Sequence, residues 1–343
     1  MAMSTRTVIA VRQDNNGDVL LAGPALRALA AGASRLVLVC GPSGEPAARA
    51  LPGIDDVIVH EAGWIEANPQ PVHPAATAAF VERIAALHAA EAIVFTSFHQ
   101  SALPTALLLR LAGVPRISAI SDDYPGALLD VRVRDLPDAH EVERNLALAR
   151  GAGYTLPPHD EGRLAMWSGA HNPAAELAPY VVVHPGATVA ARAWSPDANR
   201  DLVRALAARG ERVVVTGGTS ERELCAQVAD GTATDLAGRT SFSGLASVIA
   251  GADVIVVGNT GAAHVAAAVG TPVVSLFAPT IPAARFRPWM VEHVVLGDQE
   301  IGCRGCRART CPIPSQPCLS AVTVDDVLVA LGTVRRDAPA TRR

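Results

Sequence analysis

At 343 residues the chain is long enough for two domains of ordinary size. Half of the residues are hydrophobic and only 18% are charged, which excludes a disordered chain, and a formal net charge of −4 offers no basic excess to nucleic acid. No basic-then-apolar leader opens the sequence and no apolar run reaches the ~18 residues of a membrane span, so the expectation is a cytoplasmic protein. Peripheral contact with the inner membrane face needs only an exposed patch and stays compatible with this composition.

In chain order, Thr7 to Arg12 reads as a short apolar strand, followed by a polar turn containing Gly17 and Asp18 and a helical stretch from Val19 to Leu29. This is the opening of a doubly wound unit without the three glycines of a dinucleotide site, which argues against a nicotinamide or flavin cofactor. Further strands are expected at Leu36 to Cys40, Val57 to His60, Ile93 to Thr96 and Arg116 to Ile120, with helices at Pro46 to Leu51, Ala75 to Ala89 and Ser101 to Leu111. From Gly151 to His171 glycine, proline and polar residues break the periodicity, and the chain is expected to cross there to a second domain.

A second alternation begins at Tyr180. Strands are expected at Val181 to His184, Arg212 to Thr216, Thr234 to Leu236, Asp253 to Val257, Pro272 to Phe277 and His293 to Leu296. Helices are expected at Ser195 to Arg209, Glu221 to Ala229, Ser243 to Ala250, Ala262 to Val269 and Val324 to Leu331. Ser195 supplies a capping hydroxyl and Pro196 takes the first helical position. The tail from Arg335 to Arg343 has little to bury and is expected to be mobile.

The second half is organised around Asn259-Thr260-Gly261-Ala262, a small turn between a β-branched apolar strand and an Ala-rich helix. Amides that open a helix beyond the carboxyl end of a parallel strand present free N–H groups and a positive dipole end to an anion, so this turn is a candidate phosphate cradle. Three more turns carry suitable residues: His184 to Thr188, Thr216 to Glu221, and Gly238 to Thr240. Arg192, two residues before Trp194, is placed to grip a diphosphate bidentately, although a solvated arginine has the same appearance. Glu221 and Glu223 suit a ribose diol, or simply the first turn of a helix. Asp18 at a helix N-terminus reads either as a cap or as a general base that draws a proton from a sugar hydroxyl.

These segments together resemble glycosyltransferase family 9, the ADP-heptose:lipopolysaccharide heptosyltransferases. The resemblance rests on Gly17-Asp18-Val19-Leu20-Leu21, on His184-Pro185-Gly186-Ala187 with Arg192, on Thr216-Gly217-Gly218, on Asp235 to Ser241, on Asn259 to His264, and on Pro317-Cys318-Leu319. It implies a GT-B fold, two doubly wound Rossmann-like α/β domains facing across a cleft, and inverting transfer from a nucleotide-activated sugar to a glycan or glycolipid hydroxyl, with no cofactor and no obligatory metal. The implied division is an acceptor-binding domain over 1–160, a linker over 161–178, a nucleotide-sugar-binding domain over 179–334 and a tail over 335–343. By resemblance Asp18, beside Gly17, is the base and Arg192 meets the donor diphosphate. Thr188 and Thr240 lie in donor-contacting loops, Glu221 or Glu223 meets the nucleoside, and Thr260, Gly261 and Ala262 form the cradle, with His264 in the same signature. The family's cradle usually begins with Asp, and Asn259 stands there in this chain.

Cys303, Cys306, Cys311 and Cys318 form a cluster with enough thiolates for zinc or an iron–sulfur centre, but reduced structural thiols or disulfides are the simpler expectation. Five arginines lie near it, Arg285, Arg287, Arg304, Arg307 and Arg309, and would suit phosphates of an acceptor. Two alternatives stand beside the transferase: a nucleotide-sugar epimerase of related fold, which needs no acceptor, and a non-catalytic nucleotide-sugar binding protein.

Overall fold

The computed structural model of the chain describes residues 6–65, 69–137, 139–169 and 171–337. These divide into two compact units, one ending at Met166 and one beginning at Trp167.

The first unit runs β1 (Thr7–Arg12), α1 (Asn16–Gly32), β2 (Arg35–Cys40), α2 (Glu45–Ala50), β3 (Asp56–Val59), α3 (Pro74–Ala85), β4 (Glu91–Val94), α4 (Leu103–Leu111), β5 (Ile117–Ile120), β6 (Val131–Val133) and α5 (Glu141–Ala152). Its six strands pair in parallel in the order β3-β2-β1-β4-β5-β6. Every residue of β1 is buried, as a parallel strand covered on both faces requires. Ile9, Val11, Val37, Val39 and Val94 point into one core with Phe80, Ile84 and Leu109. On the opposite side α1, apolar nearly all round, packs against α5.

The second unit runs β7 (Val181–His184), α6 (Pro196–Ala208), β8 (Val213–Val215), α7 (Arg222–Ala229), β9 (Thr234–Asp235), α8 (Phe242–Ala250), β10 (Val254–Gly258), α9 (Gly261–Val269), β11 (Val273–Leu276), α10 (Ala283–Phe286), β12 (His293–Leu296), α11 (Pro317–Ser320) and α12 (Val324–Asp337). Its parallel order, β12-β11-β10-β7-β8-β9, is the same arrangement built again. In each unit the first strand lies beside the fourth, and there the direction of winding reverses. The Ser195 hydroxyl caps α6 by accepting from the Ala198 amide at 3.1 Å, with Pro196 as the first helical residue.

Three expectations are corrected. The helix after β1 starts at Asn16, so Gly17 and Asp18 stand inside its first turn and not in the turn before it. The segment between Ile120 and Gly151, to which no element was assigned, holds β6 and α5. Buried Glu141 and Arg144 break the apolar period of α5, and its cap is unusual: His140 Nδ1 accepts from the Val142 amide at 3.2 Å, while Glu143 accepts from the His140 amide at 3.0 Å. Finally, α12 continues through residues 335–337, and the rest of the expected tail, 338–343, lies outside the described residues.

Candidate active site

In the second unit the reversal of winding falls between β7 and β10, and the loops that leave these two strands carry Arg192 and the Asn259 turn. The loop after β7 ends in a short 3-10 turn, Ala190–Arg192, whose last carbonyl lies over Gly258 at the end of β10. Gly258 permits this approach because it has no Cβ; one added there would sit 3.0 Å from the Arg192 oxygen. The Arg192 Nε donates to Thr280 Oγ1 at 3.2 Å. Thr260 precedes α9 in an extended conformation without using its side chain as a cap. The Gly261 and Ala262 amides that follow belong to the first turn, where N–H groups have no intrahelical partner.

Three buried polar atoms at this turn have no hydrogen-bond partner among the described residues: Asn259 Nδ2, Thr260 Oγ1 and His264 Nδ1. A buried polar group left unpaired is costly, and a cluster of such groups at one helix opening suits a polar ligand. Burial, reinforced by the positive charge of Arg192, pushes the His264 imidazole down to about 4, so it is neutral near pH 7.

The other turns are tied to this one. His184 Nδ1 stands 3.0 Å from Thr216 Oγ1, which joins the loops after β7 and β8. Burial drives the His184 imidazole pKa down, and the Glu221 charge opposes that shift. Glu221 accepts from the Gly218 amide at 2.6 Å and leans under Gly186, where a Cβ would lie 2.0 Å from its carboxylate. The Gly238 amide donates to the Gly217 carbonyl at 2.9 Å, bringing in the loop after β9. Of the two acidic candidates, Glu221 therefore faces the gathered loops, whereas Glu223 is exposed on α7. Thr188 is exposed in the loop after β7, and Thr240 is half-buried just before the Ser241 cap of α8.

In the first unit the winding reverses between β1 and β4, and Asp18 stands there in the first turn of α1. Its carboxylate does not cap the helix. Instead Asp18 Oδ1 accepts from Arg12 Nη2 at 3.1 Å, and the side chain is 21% exposed.

The model of glycosyltransferase family 9 (heptosyltransferase) matches residues 93–316, more than half of the chain. The chain belongs to glycosyltransferase family 9. This family 9 chain is 32% identical over 220 residues to lipopolysaccharide heptosyltransferase 1 of Pseudomonas aeruginosa, an alignment that covers 62% of this chain and 61% of that protein. The chain thus spans about three fifths of the length of that curated relative. Among solved structures it resembles a family 9 glycosyltransferase of Veillonella parvula with a TM-score of 0.75, at 17% identity, over 98% of this chain and 99% of the other. It also resembles the E. coli heptosyltransferase WaaC, solved with ADP-2-deoxy-2-fluoro heptose, with a TM-score of 0.73, at 22% identity, over 97% of this chain and 100% of the other. Likeness at these identities establishes the GT-B fold.

In the family 9 chain all four clustered cysteines line one cavity, together with Ala191, Thr280 and Ile301. Each is a free thiol, and among the described residues no three His, Cys, Asp or Glu side chains stand in a metal-holding arrangement. The cysteine loop braces the arginine turn: the Ala191 amide donates to the Arg309 carbonyl at 3.0 Å, and the Arg307 amide to the Thr280 carbonyl at 2.9 Å. Arg285 is buried, which removes it from the exposed arginines first grouped with it. Thr280 and Gly258, which touch Arg192, and Arg12, which touches Asp18, were not legible as partners of the candidate residues. Arg12 alone carried a signal, a charged residue closing an otherwise apolar strand. Among the described residues no helix is long and apolar enough to cross a membrane.

Proposed function

We propose that the chain is an inverting glycosyltransferase that moves a heptose-like sugar from an ADP-linked donor to a hydroxyl of a cell-envelope glycan or glycolipid. Membership of the heptosyltransferase family and likeness to an enzyme solved with an ADP-heptose analogue support the donor class. The observation that carries the reading is the set of unpartnered buried atoms on Asn259, Thr260 and His264, gathered with Arg192 at the opening of α9. An anion there would meet two helix amides, a guanidinium and three groups that already lack partners. Glu221, among the loops after β7, β8 and β9, is the residue for the nucleoside.

The chemistry is a single in-line displacement. Asp18 takes the proton of the acceptor hydroxyl, the acceptor oxygen bonds to the anomeric carbon, and the bond from that carbon to the diphosphate oxygen breaks. The electron pair leaves on the nucleoside diphosphate, whose growing charge Arg192 and the α9 amides stabilise without a metal ion. Asn259 offers an amide donor where aspartate would offer acceptors only. Thr188 and Thr240 line the outer edge of the donor loops. We place the protein in the cytoplasm, in peripheral contact with the inner membrane face where a glycolipid acceptor is exposed.

A thermal-shift screen of nucleotide sugars, followed by transfer to isolated envelope glycan, tests this. The expected result is stabilisation by an ADP-sugar and an acceptor-dependent product of inverted anomeric configuration, unchanged by a chelator. Conversion of the donor sugar without acceptor would favour the epimerase, and binding with no transfer would favour the non-catalytic alternative.

A further inference from the structure

Arg12 closes β1 and its guanidinium is fully buried, where an arginine is tolerated only if its charge is answered. The fork reaches three groups. Its Nε lies 2.9 Å from Asp14 Oδ2, and its Nη2 donates to Ser97 Oγ at 2.9 Å and to Asp18 Oδ1 at 3.1 Å. Asp14 is fixed in turn by Gln100 Nε2 at 2.5 Å and by the Ser97 hydroxyl at 3.2 Å. That hydroxyl is also 3.4 Å from Asp18 Oδ1, but its single proton has the nearer acceptor in Asp14. Asp14 with Ser97 thus anchors the guanidinium from one side, and Glu141 adds a further negative charge facing it.

Asp18 is in a different position. It is partly exposed and sits where the N-terminus of a helix already favours a carboxylate, so it has no need of a buried cation. Among the described residues both side-chain contacts to it arrive at Oδ1, and Oδ2 takes part in none. We infer that Arg12 is the positioning residue for Asp18: it clamps Oδ1 and so leaves Oδ2 as the oxygen that takes the proton of the acceptor hydroxyl. This rests on the reading of Asp18 as the base. Arginine suits the task because its planar fork spans Asp14, Ser97 and Asp18 at once, which the point charge of lysine cannot do.

The test uses the full chain and the donor and acceptor identified by the screen. In Arg12→Met/Asp14→Asn the buried charge and its counter-charge leave together, so the fold does not retain an unpaired ion. Relative to Asp14→Asn alone, the double variant is expected to lose about 100-fold in kcat, as for a catalytic group shifted by about an ångström, with the donor KM within about twofold. Arg12→Lys is expected to fall between the two. If the double variant matches Asp14→Asn in kcat, the clamp is wrong, and loss of turnover in Asp18→Asn in the same assay then leaves the base reading standing. Full turnover in Asp18→Asn would instead remove the reading on which the clamp rests. Should the double variant fail to fold, as judged by circular dichroism, Arg12→Lys decides: reduced kcat at unchanged donor KM supports the clamp, and unchanged kcat overturns it.

Discussion

The carbonyl of Arg192 lies over Gly258, where an added Cβ would stand 3.0 Å from its oxygen, closer than an ordinary contact. A methyl group at 258 asks the Ala190–Arg192 turn to give by a few tenths of an ångström, and the expectation is that the guanidinium shifts with it. Gly258→Ala is expected to raise the donor KM about tenfold, equivalent to about 1.4 kcal/mol, with a smaller change in kcat. Initial rates over a range of donor concentrations check this, and an unchanged KM would mean that the turn can move without consequence.

In the proposed reaction Arg192 meets the leaving diphosphate, so its loss should affect turnover more than binding. Arg192→Ala is expected to lower kcat by about 100-fold or more and to weaken ADP binding as well, and Arg192→Lys to recover part of both. Calorimetry with ADP and single-turnover transfer separate the two effects.

His264 makes stability depend on pH. In the unfolded chain its imidazole titrates near 6.5, whereas in the folded protein burial and Arg192 hold it at about 4. The unfolded state therefore binds the proton first as pH falls, and the folded state loses stability between about pH 6.5 and about pH 4. The full loss is on the order of 3 kcal/mol. His184, also depressed by burial, acts in the same direction. Thermal unfolding of His264→Gln across this window should show a shallower decline than the parent, and parallel curves would contradict the assignment.

Glu221 and Glu223 look interchangeable in the sequence and differ sharply in their surroundings. Glu221→Gln is expected to weaken ADP binding about tenfold, since it loses a charged acceptor. Glu223→Gln, on the exposed face of α7, should leave binding within about twofold. Equal effects in calorimetry would place the nucleoside elsewhere.

Much of the scaffold was readable before folding. The runs at Thr7, Val181 and Val254 are mostly apolar and rich in β-branched residues, as a sheet covered on both faces requires, and Ser195-Pro196 marked the start of α6. The turn at Asn259 was readable for the same reason, as a small turn between a strand and an Ala-rich helix. What escaped depends on partners distant in the chain. Arg12 looked like the end of a strand until Ser97, 85 positions on, came beside it. Glu141 and Arg144 disguised α5 because the charges they bury answer one another, at 3.4 Å. The separation of Glu221 from Glu223 follows from a 3-10 turn at Thr219–Glu221 that local propensity does not announce.

Among the described residues every strand pairing joins two members of the same sheet, and neither sheet takes a strand from the other side of residue 166. A flexible insert placed after Met166 therefore interrupts no ladder, and each half keeps its interior whole. The proposed grip on the nucleotide and the proposed clamp on the base can in that case be altered one at a time by exchanging whole halves between relatives, with the join at this single point.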